Sequence, residues 1–345
     1  MIDVNKTGRK LLQRHETYLV LLILVFSAII ANASDAFLTS GNLLSVLRGG
    51  SGIGILAVAF FVALIGGGID ISFPAIAISG QYIAIRTMLA LQLDSIGIAF
   101  LISITVGIVF GLINAFFITR FRIQAMIVTL ATSSLFHGAL LEFVGTDSVN
   151  VGRLPTSITD FGRMTVFQFQ TAEGPQGLSI FVGILAVVVL ATWFLLQHTM
   201  LGRGIYAIGG DAEGAKRAGF NVTRIQYFIF GYVGFLSGIM GIIHVALIRY
   251  AHPANIVGDN TLLRVIAAVI LGGTSITGGR GTLTGTMLGV LLIVLVDRHL
   301  IMLGVPPAWT NFFVGVVIVV GVVATHLRMK FEKHRRGELT VERAH

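Results

Sequence analysis

Apolar runs long enough to cross a bilayer recur from Tyr18 to about residue 327, and they limit this chain to a small set of folds. A spanning helix needs about 20 mostly apolar residues. Runs of this length recurring along the chain give the reading of an all-α polytopic membrane protein. Ten candidate spans emerge: 18–35, 50–67, 73–91, 96–118, 123–144, 178–197, 225–248, 261–273, 282–304 and 309–327. They form a single transmembrane domain over 1–345, with some helices broken or re-entrant. The run from Tyr18 to Ala33 is read as a retained first span, not a cleaved signal, because apolar runs continue behind it.

Composition agrees. Only 12% of residues are charged, against roughly 25% in soluble domains. The chain has no cysteine, which excludes disulfides, thiolate metal sites and cysteine nucleophiles. A net charge of +8 would suggest nucleic acid in a soluble protein. In a membrane chain it reflects Lys and Arg gathered in cytoplasmic loops, so no nucleic-acid partner is expected.

With ten spans and an amino terminus inside, 17 of the 24 Lys and Arg fall on the cytoplasmic side. The other seven are Arg48, Arg86, Arg153, Arg163, Arg249, Arg264 and Arg298. The bias places both termini, and the polar glycine-rich stretch His198 to Arg224, in the cytoplasm. Gly145 to Gly177 then faces outward, as a plain connection or a docking surface.

Two glycine-rich breaks interrupt the apolar pattern: Gly66-Gly-Gly-Ile-Asp-Ile-Ser-Phe-Pro74 and Leu271-Gly-Gly-Thr-Ser-Ile-Thr-Gly-Gly-Arg-Gly281. Upstream of each lies a similar pentapeptide, Asn42-Leu-Leu-Ser-Val and Thr261-Leu-Leu-Arg-Val. Broken helices in corresponding halves mark the transport path of many carriers. Asp70 is the most informative acid, because a carboxylate within a membrane faces a cavity, a partner or a backbone amide. Ser72 reads as the N-cap of the third helix with Pro74 in its first turn; Asp70, Ser72 and Phe73 are also candidates for lining the path. The spacings Gly107-x-x-x-Gly111, Gly234-x-x-x-Gly238 and Gly281-x-x-x-Gly285-x-x-x-Gly289 predict close helix packing within one subunit.

No phosphate-binding Gly-x-x-x-x-Gly-Lys-[Ser/Thr] loop is present, so the chain itself should hydrolyse no ATP and is not an enzyme. His137, Glu142, His244, Arg249 and His252 are scattered and match no metal-binding spacing, so no metal or cofactor is assigned to this chain. Arg249 and His252 are placed at an outer helix end.

Three blocks resemble the membrane permease subunits of bacterial ABC importers for ribose and other simple sugars. They are Gly67-Gly-Ile-Asp-Ile-Ser72; Tyr206-Ala-Ile-Gly-Gly-Asp211 through Ala218-Gly-Phe-Asn-Val222; and Val269-Ile-Leu-Gly-Gly-Thr-Ser-Ile-Thr-Gly-Gly-Arg-Gly281. Where that family continues its first block with Ser-Val-Gly, this chain has Ser72-Phe-Pro74. The resemblance implies a bacterial inner-membrane location and ATP-driven import of a small polar solute. It also implies an ATP-binding subunit carrying ATP and Mg, an external solute-binding protein and a second permease subunit. Residues 198–224 would be the coupling segment, with Tyr206 to Val222 a short helix seated on the ATPase and Gly209, Gly210, Asp211, Glu213 and Arg217 in contact with it. The competing class is an ion-coupled secondary transporter of a small polar solute, which would use Asp70.

Overall fold

A computed structural model describes residues 15–171, 174–254 and 260–300, with isolated positions from 304 to 319. Helices α1 (His15–Ala33), α2 (Ser40–Ile65), α3 (Phe73–Ala90), α4 (Ile96–Phe121) and α5 (Ala125–Phe143) lead the chain. Between them and α7 (Ile180–His198) lie β1 (Val149–Asn150), a short α6 (Thr156–Phe161), β2 (Thr165–Thr171) and β3 (Gly174–Ser179). Two short helices follow, α8 (Met200–Gly210) and α9 (Ala212–Arg217), then α10 (Val222–Ile248), β4 (Tyr250–Ala251), α11 (Thr261–Leu271) and α12 (Leu283–His299). Nine of the ten predicted stretches carry helix; most of the tenth, 309–327, lies outside the described residues. Among the described residues, six helices (α1, α2, α4, α5, α7 and α10) are long and apolar enough to cross a membrane.

Burial separates the centre of the bundle from its rim. Of the most apolar stretch of each helix, 83% is buried in α2 and 72% in α10, against 17% to 28% in α1, α4, α5 and α7. Exposed Leu21, Leu24, Leu101, Leu130 and Leu190 on the rim helices are what a lipid-facing surface requires.

Helix α2 starts ten residues before the predicted boundary. Thr39 caps it by accepting the Asn42 amide at 3.3 Å. Gly49 and Gly50, at the expected boundary, lie inside the helix. The Val294 side chain packs over Gly50 and the Arg298 guanidinium over Gly49.

The predicted glycine spacings act within the chain. A Cβ on Gly107 or Gly111 of α4 would overlap the α10 carbonyls of Gly234 or Phe230, and one on Gly238 would stand 2.6 Å from the Ser103 carbonyl. Ser103 Oγ donates to the Gly238 carbonyl at 2.7 Å, so the two backbones meet directly. Gly285 and Gly289 of α12 likewise press on Gly272 and Ala268, at the end of α11.

The 145–177 segment is folded onto one end of the bundle. Arg48 Nη2 donates to the Gly162 carbonyl at 2.7 Å, Tyr82 Oη to the Asp147 carbonyl at 2.7 Å, and β1 pairs antiparallel with β4. Arg86 also pairs with Asp147 at 3.5 Å, and β2 and β3 form a second antiparallel pair. The helix ends carrying Arg48, Arg86, Arg249 and Arg298 therefore gather where this segment sits. Arg122, Lys216 and their basic neighbours lie at the other end, around a cleft of about 650 Å³.

Candidate transport path and coupling site

The break between α2 and α3 is held by buried polar side chains. Asp70 Oδ1 accepts the Ser72 amide at 2.7 Å and the Ser72 hydroxyl at 2.6 Å. Asn114 of α4 donates from Nδ2 to Ser72 Oγ at 2.7 Å, and its Oδ1 accepts the Thr132 hydroxyl of α5 at 2.6 Å. Thr129 of α5 accepts the Ile71 amide at 3.1 Å and donates to the Ile69 carbonyl at 3.3 Å. Freed backbone groups of the break are thus satisfied by Asp70 within it and by Thr129 of α5, while Asn114 of α4 holds the Ser72 hydroxyl. Asp70, Ser72, Asn114 and Thr129 are all fully buried, and among the described residues Asp70 Oδ2 has no hydrogen-bond partner.

Ser72 stands at the N-cap position and Pro74 in the first turn, as the sequence predicts. The capping chemistry differs from the expectation. Ser72 has helical φ and ψ and its hydroxyl makes no capping bond, because Asp70 and Asn114 engage it. The carboxylate of Asp70 accepts the amide at the helix entrance instead. Phe73 is fully buried against Phe60, with ring centroids 5.8 Å apart.

Both breaks begin with the same turn. Gly67 (φ +80°) and Gly273 (φ +83°) adopt the left-handed conformation that side chains resist. Gly67 N donates to Leu64 O and Gly68 N to Ala63 O; Gly273 N donates to Ile270 O and Thr274 N to Val269 O. These bonds close α2 and α11 with the paired i−3 and i−5 pattern of a Schellman motif. The two pentapeptides each open the helix that leads to a break, but α2 has 26 residues and α11 has 11, so they stand at different distances from it.

The end of α8 lies between these breaks. A Cβ on Gly209 would overlap the Ile65 carbonyl and come within 2.6 Å of the Gly279 amide. Gly67 and Gly278 both press on Gly209, and Gly279 N donates to the Ile65 carbonyl at 2.9 Å. Tyr206 Oη, one turn earlier, donates to the Gly281 carbonyl at 3.1 Å. All three glycine-rich blocks therefore meet at a single junction.

The segment expected to be one short helix from Tyr206 to Val222 folds as two. Gly209 and Gly210 are weak helix formers, and Asp211 leaves the helix with φ −158°. Asp211 then caps α9 through Oδ1, which accepts the Glu213 amide at 3.1 Å. Glu213 in the first turn and Lys216 and Arg217 in the last complement the α9 dipole. Gly219 (φ +89°) ends α9, and Asn221 caps α10 by accepting the Arg224 amide at 3.0 Å. Of the residues expected to face a partner, Gly210, Asp211, Glu213 and Arg217 are exposed, while Gly209 is held at the junction.

Asn114, Thr129 and Thr132 escaped the sequence reading. A lone amide in the apolar run 96–118 and two hydroxyls three residues apart in the next run were their only signal. Of the scattered polar residues, His137 Nε2 lies 3.1 Å from the Pro253 carbonyl, and Arg249 terminates α10 at φ +53°. His252 accepts the Ala254 amide at 3.1 Å beyond that helix end.

A bundle with two glycine breaks joined to a polar interhelical segment defines a membrane permease. The family model of permease components of the branched-chain amino acid transport system matches residues 42–322, and the chain belongs to that family. It is 31% identical to a ribose import permease protein of Escherichia coli K12 over 313 residues, 90% of this chain and 93% of that one. It is 37% identical to a fructose import permease protein of Bifidobacterium longum over 278 residues, 78% of each chain. With an autoinducer 2 import system permease protein of Photorhabdus laumondii it shares 30% identity over 288 residues, 82% of each. The match covers all three glycine-rich blocks and the residues that pack around them.

Proposed function

We propose that this chain is the membrane subunit of an ATP-driven importer that passes a simple sugar into the bacterial cytoplasm. Both termini and the 198–224 segment lie inside. In this reading an ATP-binding subunit docks on the exposed Asp211, Glu213 and Arg217 beside Gly210. A solute-binding protein docks at the opposite end, on the 145–177 side, and a second permease subunit completes the path. ATP and Mg reside on the partner, where hydrolysis supplies the work.

The observation that carries the reading is the junction at Gly209. Displacement of α9 by a partner cannot be absorbed there, because backbone meets backbone with no side chain between them to yield. Movement of α8 must therefore displace Ile65 and Gly279 together, shifting both breaks relative to the bundle. A partner that binds the two arrangements of this junction with different affinity shifts their populations. The relatives named for ribose, fructose and autoinducer 2 favour a small hydroxylated solute.

The test is reconstitution of the chain with its ATPase and binding protein in vesicles, following uptake of D-ribose and D-fructose. Uptake that requires ATP supports the proposal. Uptake that persists without the ATPase and follows a proton or sodium gradient would establish the ion-coupled alternative.

A further inference from the structure

Away from the glycine junction, the seam between α2, α3 and α10 holds a set of polar groups with no assigned use. Gln81 of α3 is fully buried, and its Oε1 lies 3.1 Å from His244 Nδ1 of α10. The Gln81 amide nitrogen has no hydrogen-bond partner among the described residues. Ser237, seven residues before His244 on α10, is also fully buried, and its hydroxyl has no partner among them. Positions i and i+7 share a helix face about 10.5 Å apart. Gly241 lies between them, close enough to α3 that a Cβ would stand 3.2 Å from Gln81 Cβ. Met240 reaches toward Gly52 of α2, where a Cβ would stand 3.5 Å from the Met240 methyl.

Unpaired buried polar groups are costly, and side-chain polar groups inside a membrane chain gather on solute and ion pathways. Here two orphans and a half-buried imidazole share one seam. With Gln81 Oε1 accepting from Nδ1–H, His244 presents Nε2 as an acceptor, the Gln81 amide presents donors, and Ser237 offers both. Each hydroxyl of a sugar is likewise a donor and an acceptor. The spacing along α10 suits a single sugar ring.

We propose that Gln81, Ser237 and His244 form an intramembrane station that a small polyhydroxylated solute, of monosaccharide size, occupies in transit. The station rests on the importer reading and adds to it the residues that meet the solute. Opening of the α3–α10 seam exposes all three groups together. The orphaned atoms are satisfied by the solute and lose those partners when it leaves.

The chain has no cysteine, so single cysteines can be placed without background. Ser237→Cys and His244→Cys, with Ile242→Cys as a buried control on the far side of α10, are assembled with the ATPase and binding protein. Each is treated with a membrane-impermeant anionic methanethiosulfonate during ATP turnover. Expected is labelling at least ten times faster at positions 237 and 244 than at 242. Protection by D-ribose or D-fructose, whichever the wild-type complex takes up, is also expected. Equal labelling at all three positions would overturn the station, as would absence of protection by a sugar that is taken up. A labelling gradient in a complex that takes up sugar without ATP would overturn the importer reading and retain the water-filled seam. Gln81→Met, which keeps volume and removes the amide, is expected to raise the KM for uptake at least tenfold with folded yield preserved. Unchanged KM would count against a solute contact.

Discussion

The Gly279 amide donates to the Ile65 carbonyl at 2.9 Å, and this bond ties the second glycine break of the chain to the first. Gly209 sits against both residues. The helices before and after each break can therefore shift together when α8 shifts.

The side chains around Ser72 should act as a unit. Asn114→Leu removes the donor to Ser72 and one acceptor of Thr132; Ser72 keeps Asp70 and Thr132 keeps the Val128 carbonyl, so the cost is two lost hydrogen bonds at about 0.5–1.5 kcal/mol each. Asp70→Asn retains an acceptor oxygen for the Ser72 amide. The apparent melting temperature in detergent should fall clearly for Asn114→Leu and by much less for Asp70→Asn. Equal losses would show that the carboxylate charge, not the hydrogen-bond chain, holds the break.

The α4–α10 contact should tolerate no side chain. Gly107→Val places branched carbons into the Gly234 carbonyl. Overpacking of this kind costs about 1–3 kcal/mol and more against backbone. Folded, monodisperse protein should be lost in gel filtration. Gly138→Val, at a position where a Cβ meets nothing within 4 Å, should behave as wild type.

The turn between α3 and α4 should carry a pH dependence. The Asp94 carboxylate accepts hydrogen bonds from Ser157 and Thr156, which lower its pKa from 3.8 to about 2. A depressed carboxylate stabilises the fold above its unfolded pKa and ceases to do so as pH falls through its folded one. Protection of the 156–157 amides from hydrogen exchange, relative to Asp94→Asn, should be constant from pH 8 to pH 5. The difference should disappear between about pH 4 and pH 2. A difference that changes above pH 5 would implicate another group.

How much could be read from the residues depended on whether packing or pattern decides. The helices were legible because hydrocarbon imposes length and apolarity on each span. The start of α2 lies ten residues before the expected one, and Gly49 and Gly50 do not interrupt it. Only the partner side chains Arg298 and Val294, distant in sequence, show them to be packing positions. The β2 strand lies in the stretch expected as a plain connection or a docking surface, although Val166-Phe167-Gln168-Phe169-Gln170 alternates with the period of a strand. Asp70, Ser72 and the 198–224 segment stood out by polarity. Asn114 and Thr132 did not, since one amide or hydroxyl in an apolar run gives no hint of what it will meet. The meeting of the three glycine blocks is a property of the fold that none of the blocks shows alone.

The exposed face of α8 and α9 should separate docking from folding. A Cβ on Gly210 meets nothing within 4 Å, and Glu213 is exposed. Gly210→Trp and Glu213→Lys should yield folded permease that retains less than a tenth of wild-type ATPase subunit in co-purification. Wild-type retention in both would move the docking surface elsewhere.

The most direct test of the junction is the number of solute molecules transported per ATP hydrolysed in reconstituted vesicles. Gly209→Ala and Gly210→Ala differ by one position and by whether a methyl group has room. The account predicts at least a tenfold fall in that ratio for Gly209→Ala, with ATP hydrolysis continuing, and a ratio within twofold of wild type for Gly210→Ala. A wild-type ratio in folded Gly209→Ala permease would contradict the claim that this contact carries the motion.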